Sequence, residues 1–158
     1  MKFNYIILFS FLLLSCATKK QVVADYTFVN SNNNYNKIIG DFKNINYKDS
    51  NYNFMVKYLK KINNQFRVIV VLISEEKNSK QPLITKTISV SSKKFGVFKS
   101  TKQKRSMNTY DYKYFFKKIK RQKDNELINY LKNDTITISI NNEKFLFTSP
   151  TSYVKFQP

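Results

Sequence analysis

The stretch from Asn53 to Ser74 constrains the fold more than any other part of the chain. Two β-favouring runs flank Asn63-Asn64, a dipeptide suited to a two-residue hairpin turn. With that turn, the numbers of cross-strand partners sum to 127. Phe54, Val56 and Tyr58 then oppose Ile73, Val71 and Ile69, six apolar residues on one face. The other face sets Met55, Lys57, Leu59 and Lys61 against Leu72, Val70, Val68 and Phe66. It is mixed, and the lysine stems can lie over apolar surface. A register shifted by one residue would scramble the apolar face. The second strand is apolar on both faces, which predicts a central position in a sheet.

A second hairpin is predicted from Thr135 to Phe147, with Asn141-Asn142 as its turn and partners summing to 283. Ile136, Ile138 and Ile140 alternate strictly with Thr135, Thr137 and Ser139, so one face is buried and one is wet. Between the hairpins, Leu83 to Ser91 reads as a strand after Pro82, and Lys94 to Lys99 as a shorter one. Asp124 to Lys132 reads as a helix, with Asp124 as N-cap, Glu126 in the first turn and an apolar stripe of Leu127, Ile128 and Leu131. Thr109 to Ile119 fits both periods. The alternation of Tyr110, Tyr112, Tyr114 and Phe116 favours a strand, because four such aromatics are poor helix formers. Asn30 to Asn36 is a turn-prone loop. The fold class is therefore α+β and mostly antiparallel β. The architecture expected is a small sandwich or curled sheet of six to eight strands, with one helix near the C-terminus.

The N-terminus has the three parts of an export signal. Lys2 is its one charge, Tyr5 to Leu14 is an apolar run broken only by Ser10, and Ser15 is the small residue before a cut. The run is too short for a permanent membrane span. Leu13-Leu14-Ser15-Cys16 resembles the lipobox of bacterial lipoproteins, with Leu14 a mild departure from the smaller residue common there. The resemblance implies a diacylglycerol thioether on Cys16, cleavage before it and fatty acylation of the new amino group. Cys16 is the chain's one cysteine, and lipidation would remove a lone thiol from an oxidising compartment. The organisation expected is a signal peptide over 1–15, lipidated Cys16 with a tether over 16–24, and a single mostly-β domain over 25–158. Ala17 and Thr18-Lys19-Lys20 favour the outer membrane, facing the periplasm. The succession of strand, Asp124–Lys132 helix and Thr135 hairpin resembles small lipoproteins of the Bacteroidetes type with no assigned function, and that likeness carries no catalytic residue.

Cleavage would leave 27 basic and 10 acidic residues, a net +17. Part of this follows from composition: 19 Asn, many Lys and Ile, and two Gly suggest an AT-rich genome. The charge is also uneven. Lys93, Lys94, Lys99, Lys102, Lys104, Arg105, Lys113, Lys117, Lys118, Lys120, Arg121 and Lys123 fall in a 31-residue window whose one acid is Asp111. Such a run is usually a solvated face. As a binding patch it would meet an anionic envelope polymer, a lipid headgroup or an acidic protein. Nucleic acid is disfavoured for an exported chain.

The chemistry available is narrow. There is no His, so the commonest general base and metal ligand are missing. The one Cys is assigned to lipid, and the ligand types for a zinc set are lacking. Glycines at 40 and 96 alone cannot form a phosphate loop. Glu75-Glu76, the one adjacent acid pair, would point to opposite faces of a strand. Ser-Lys dyads remain open. The 14 Phe and 11 Tyr, without Trp, read as core and its rim. The inventory implies no cofactor and leans away from an enzyme. It favours a non-enzymatic, lipid-anchored binding or structural module with a basic face. The alternatives are an unrecognised envelope hydrolase or transferase, and an envelope nucleic-acid-binding protein.

Overall fold

A computed structural model describes residues 21–29, 35–39, 42–47, 50–61, 67–76, 82–101, 106–107 and 110–156. The strands among them are β1 (Gln21–Asp25), β2 (Thr27–Phe28), β3 (Tyr35–Ile39), β4 (Phe42–Tyr47), β5 (Ser50–Lys61), β6 (Arg67–Glu76), β7 (Ile88–Ser92), β8 (Gly96–Val97), β9 (Lys99–Thr101), β10 (Ser106–Met107), β11 (Tyr110–Lys118), β12 (Thr135–Ile140), β13 (Glu143–Thr148) and β14 (Val154–Phe156). Between β11 and β12 a 3₁₀ turn (Asp124–Glu126) runs into α1 (Leu127–Leu131). Cys16, the signal segment and the residue 63–64 turn lie outside the described residues.

The fold is mostly antiparallel β in two sheets and, among the described residues, has one short α-helix, near the C-terminus. The larger sheet runs β10-β11-β6-β5-β1-β14, with β4 also on β5, β3 on β4 and β9 on β11. The smaller runs β2-β13-β12-β7-β8. The long hairpin has the expected register: Phe54 pairs with Ile73, Val56 with Val71 and Tyr58 with Ile69. All six are buried. β6 lies between β5 and β11, which explains why it is apolar on both faces. The second hairpin also pairs as expected, Ile136 with Phe147 and Ile138 with Phe145. Asn141 in its turn takes a positive φ of 47°, a conformation that Asn tolerates better than most residues.

Aromatic rings join the sheets. The Phe54 ring on β5 sits 4.9 Å from Phe145 and 5.7 Å from Phe147, both on β13. Leu127 and Leu131 of α1 enter the same core. Burying large side chains such as these supplies about 1.5–3 kcal/mol each.

Five expectations are corrected. Residues 21–24 are not tether: Val22, Val23 and Ala24 are buried in β1, between β5 and β14. The strand read from Leu83 begins at Ile88. Pro82–Lys86 is a turn, closed by the Thr85 and Lys86 amides donating to the Pro82 and Leu83 carbonyls, with Leu83 fully buried. The strand read over 94–99 starts at Gly96, whose φ of +75° ends a turn over 93–95. Asp124 does not cap the helix; its carboxylate takes Lys60 Nζ instead. The strand count exceeds eight because several pieces are two or three residues long and because β3 and β4 add a hairpin of their own, β3 starting inside the expected Asn30–Asn36 loop. Residues 110–118 form a strand, as favoured. Its inward face carries Phe115, however, while Tyr112, Tyr114 and Phe116 are half-buried on the opposite face.

Candidate functional site: a basic recess beside the 3₁₀ turn

Antiparallel pairing fixes which side chains share a face. At one end of the larger sheet, Lys155 of β14 and Lys60 of β5 both pair with Val22 of β1. Lys60 in turn pairs with Arg67 of β6. Three bases therefore lie in one row across four strands, on the face that also carries Tyr58 and Ile69. Like charges directly opposite one another destabilise a sheet, so the Lys60–Arg67 pair works against folding. The chain leaves β11 here: Ile119 donates its amide to the Arg67 carbonyl at 3.1 Å. Arg121 and Lys123 follow and complete the set. An open recess of about 760 Å³ is lined by Lys60, Arg67, Arg121, Lys123 and Lys155, with Asp124 and Glu126 as its acids. Lys60 is paired with Asp124 and partly buried. Arg67 hydrogen-bonds Tyr58. Arg121, Lys123 and Lys155 are exposed.

The twelve bases of the 93–123 window go to several places. Arg121 and Lys123 line this recess. Lys99, Lys117 and Lys118 line a second one, of about 360 Å³, with Val97 and Phe116. Lys120 is exposed and lines neither. Lys93 is exposed in the β7–β8 turn, and Lys94 folds onto α1, donating to the Tyr130 carbonyl 4.9 Å above that residue's ring. Lys113 turns to the Lys86 carbonyl at 3.1 Å, and burial pulls its ammonium below the usual lysine range. Lys102, Lys104 and Arg105 lie outside the described residues. Lys60, Arg67 and Lys155 were missed by the window. A signal existed for two of them: the hairpin register itself sets Lys60 opposite Arg67.

A second cluster is buried. Lys86 Nζ contacts the Glu75 carboxylate, the Tyr52 hydroxyl at 2.8 Å and Ser50 Oγ at 3.1 Å. Ser and Lys at that distance have the composition of a Ser-Lys dyad. The lysine of such a dyad must be neutral to accept the serine proton. Burial pulls Lys86 down, yet its hydrogen bonds to Glu75 and Tyr52 and their charge outweigh that and hold it above the usual lysine range. Lys86 is thus a fixed cation. Asp111 is the cross-strand partner of Glu75, a pairing of carboxylates the sequence pattern did not reveal. With Glu75 fully buried and neutralised by Lys86, that pair is unsuited to acid–base work. Among the described residues no group of three or more His, Cys, Asp or Glu converges to hold a metal. No described helix is long and apolar enough to cross a membrane.

Two tyrosines near these sites report on burial. Burial, the Asp134 carboxylate and a hydrogen bond to it push the Tyr26 hydroxyl far above the ordinary tyrosine range. Burial also raises Tyr58, with Asp124 and Tyr130 adding to it and Arg67 opposing. In a native alkaline titration followed by phenolate absorbance, these two are expected to stay silent through pH 10.0, the ordinary tyrosine value, and to appear together with unfolding. Since both folded values are raised, their contribution to stability is complete below pH 10.0 and falls as pH rises above it. A full phenolate signal from the folded protein would contradict this. Comparison with family models, curated proteins and solved structures finds no significant match to the chain.

Proposed function

We propose that this chain is a lipid-anchored protein of the bacterial envelope, held through Cys16 at the outer membrane and facing the periplasm. Its folded part is a non-enzymatic module that binds an anionic partner in the basic recess. The observation that carries the reading is the convergence of Lys60, Arg67, Arg121, Lys123 and Lys155 from separate elements onto one concavity. Two of them oppose each other across a ladder at a cost to the sheet. Asp124 offsets part of that charge at Lys60, and an anion placed among the five would offset the rest. The lipobox-like Leu13-Leu14-Ser15-Cys16 supports the anchor, and more than one acyl chain makes such attachment stable.

The recess is tested with exposed residues whose reversal spares the core. Arg121→Glu with Lys123→Glu is expected to lower binding to anionic envelope components by about tenfold or more, given the few kcal/mol that close charge pairs contribute to a contact. The wild-type interaction should also weaken steeply with added salt. Binding unchanged by both the substitutions and salt would remove the reading. The anchor is tested separately: labelled palmitate should enter the wild-type protein and not Cys16→Ala.

A further inference from the structure

We infer that the outer face of the larger sheet lies on the phospholipid bilayer that carries the Cys16 lipid. The inference rests on the proposed anchor and adds how the domain is turned toward the membrane. The ladders give this face row by row, because cross-strand partners share a side of the sheet. Val154, Val23, Leu59, Val68 and Lys118 form one row across β14, β1, β5, β6 and β11. Two residues further along, Lys57, Val70, Phe116 and Lys99 form the next, from β5 to β9. Met55, Leu72 and Tyr114 form the third. None of the apolar side chains in these rows belongs to the core between the sheets. Val23 and Leu72 are buried among them, Val154 is 55% exposed, and Met55, Leu59, Val68, Val70, Tyr114 and Phe116 are half-buried. Lys57, the charge inside the patch, is held by Asp25 at 3.6 Å. A sheet face turned to water carries mostly polar residues, whereas a contiguous apolar patch marks a contact surface.

Two observations point to lipid as the occupant. The first is the polarity of the face along its strands. Gln21, the first residue of β1, pairs with Lys61 and Phe156, one row before Val23. Cys16 stands five residues earlier, at most about 18 Å of extended chain. The apolar rows therefore begin at the anchor's end of the sheet. Past the third row the face turns polar, at Asn53 and Ser74. The second observation is the margin. Lys118 and Lys99 close the first two rows at the β11–β9 side, and both are exposed. Lysines so placed lay their stems on apolar surface and hold their ammonium groups at the level of lipid phosphates. Beside them Val97, 70% exposed, shares the smaller recess with Phe116. Tyr114 has the apolar ring and polar tip that suit a membrane interface. β1, β5 and β6 are each paired on both sides, so side chains and not open backbone groups meet the lipid. A second copy of the chain is a poorer occupant, because two cleaved chains of net +17 repel each other. Lys60 and Arg67 lie on the other side of the sheet, which leaves the basic recess open to its own partner.

The test places the full lipidated chain in vesicles of phosphatidylethanolamine and phosphatidylglycerol, with and without bromine on the acyl chains. The sequence has no Trp, so a single introduced Trp reports one position by its quenching. Tyr114→Trp is expected to lose about half of its emission or more in brominated vesicles, given the depth of about 5–10 Å that interfacial contacts reach. Val154→Trp is the second variant should that protein fail to fold. Leu146→Trp, on the smaller sheet, and Asn125→Trp, in the basic recess, should keep their emission. Anchored protein in which the two outer-face positions are not quenched overturns the inference and leaves the anchor standing. Quenching at Asn125→Trp instead, or equally at every position, overturns it as well. Emission from Tyr114→Trp that is blue-shifted, unquenched and dependent on protein density assigns the face to a second copy and also overturns it. Protein that does not float with the vesicles at all overturns the anchor reading itself.

Discussion

Replacing Lys86 with Met is expected to destabilise the protein by about 3–5 kcal/mol, because it leaves a buried carboxylate without its counter-charge. Glu75 is 1% exposed, and its Oε2 has no hydrogen-bond partner among the described residues. The side chain of Lys86 is 4% exposed and also serves Tyr52 and Ser50. Stranded in that site, Glu75 must either remain a desolvated anion or take up a proton, and both cost free energy. Met is close to Lys in volume, so packing is largely kept and the loss reports on charge. The double variant Lys86→Met, Glu75→Leu should recover most of the loss, since buried ion pairs are often replaced by apolar residues at little cost. Urea denaturation of the two singles and the double closes the cycle. A single-variant loss below about 1 kcal/mol, the range of an exposed pair, would show that the pair is hydrated. The pH dependence has a definite sign. Because the folded Lys86 value is raised, its contribution is complete below pH 10.5, the ordinary lysine value, and is lost as pH rises through the folded value. The raised tyrosines Tyr26 and Tyr58 act in the same direction, so alkaline unfolding should be steep.

The two hairpins were legible because strict alternation leaves one register that buries every apolar residue. Phe54 with Ile73 and Ile138 with Phe145 pair accordingly. Legibility failed where local pattern and tertiary role diverge. Leu83-Ile84-Thr85-Lys86 opens a β-favouring run, but Pro82 starts a turn there. The turn exists to place two side chains: Leu83 in the core and Lys86 against Glu75, a contact made across the fold and invisible to any local window. In β11 the aromatic alternation was the louder signal, yet the inward row is Asp111, Lys113, Phe115 and Lys117, paired with Glu75, Ile73, Val71 and Ile69. Lys113 and Lys117 can lie on that face because the backbone carbonyls of Lys86 and Val97 receive their ammonium groups. The aromatics cover the far side of β6 instead. The recess was half legible. Arg121 and Lys123 stand out as a run and the hairpin register sets Lys60 opposite Arg67, whereas Lys155 joins them, and the two groups meet, only once the sheet order is known.

Asp134→Ala is expected to cost on the order of 4 kcal/mol, since each buried donor left unsatisfied costs about 1–3 kcal/mol and the substitution strands several. The Asp134 carboxylate is 1% exposed and accepts from the Tyr26 hydroxyl at 2.9 Å, the Ser92 hydroxyl at 2.6 Å and the Lys94 amide at 3.0 Å. Its own backbone is committed too: its amide donates to the Leu131 carbonyl, and its carbonyl accepts from Ser149. The side chain thereby joins the β1–β2 link to the end of β7 and the turn after it. The backbone bonds, which any substitution keeps, tie the exit of α1 to the start of β12 and to Ser149. Asp134→Asn is the discriminating variant. It keeps the volume and one acceptor oxygen, while its amide nitrogen must donate where the carboxylate accepted. The Tyr26 and Ser92 hydroxyls can each rotate to accept, but the Lys94 amide cannot. Asn should therefore fall between wild type and Ala, near 1–2 kcal/mol, and it should retain anion binding when folded. If Ala and Asn cost the same, the carboxylate's hydrogen bonds are not what holds this corner, and packing of α1 through Leu127 and Leu131 would have to carry it.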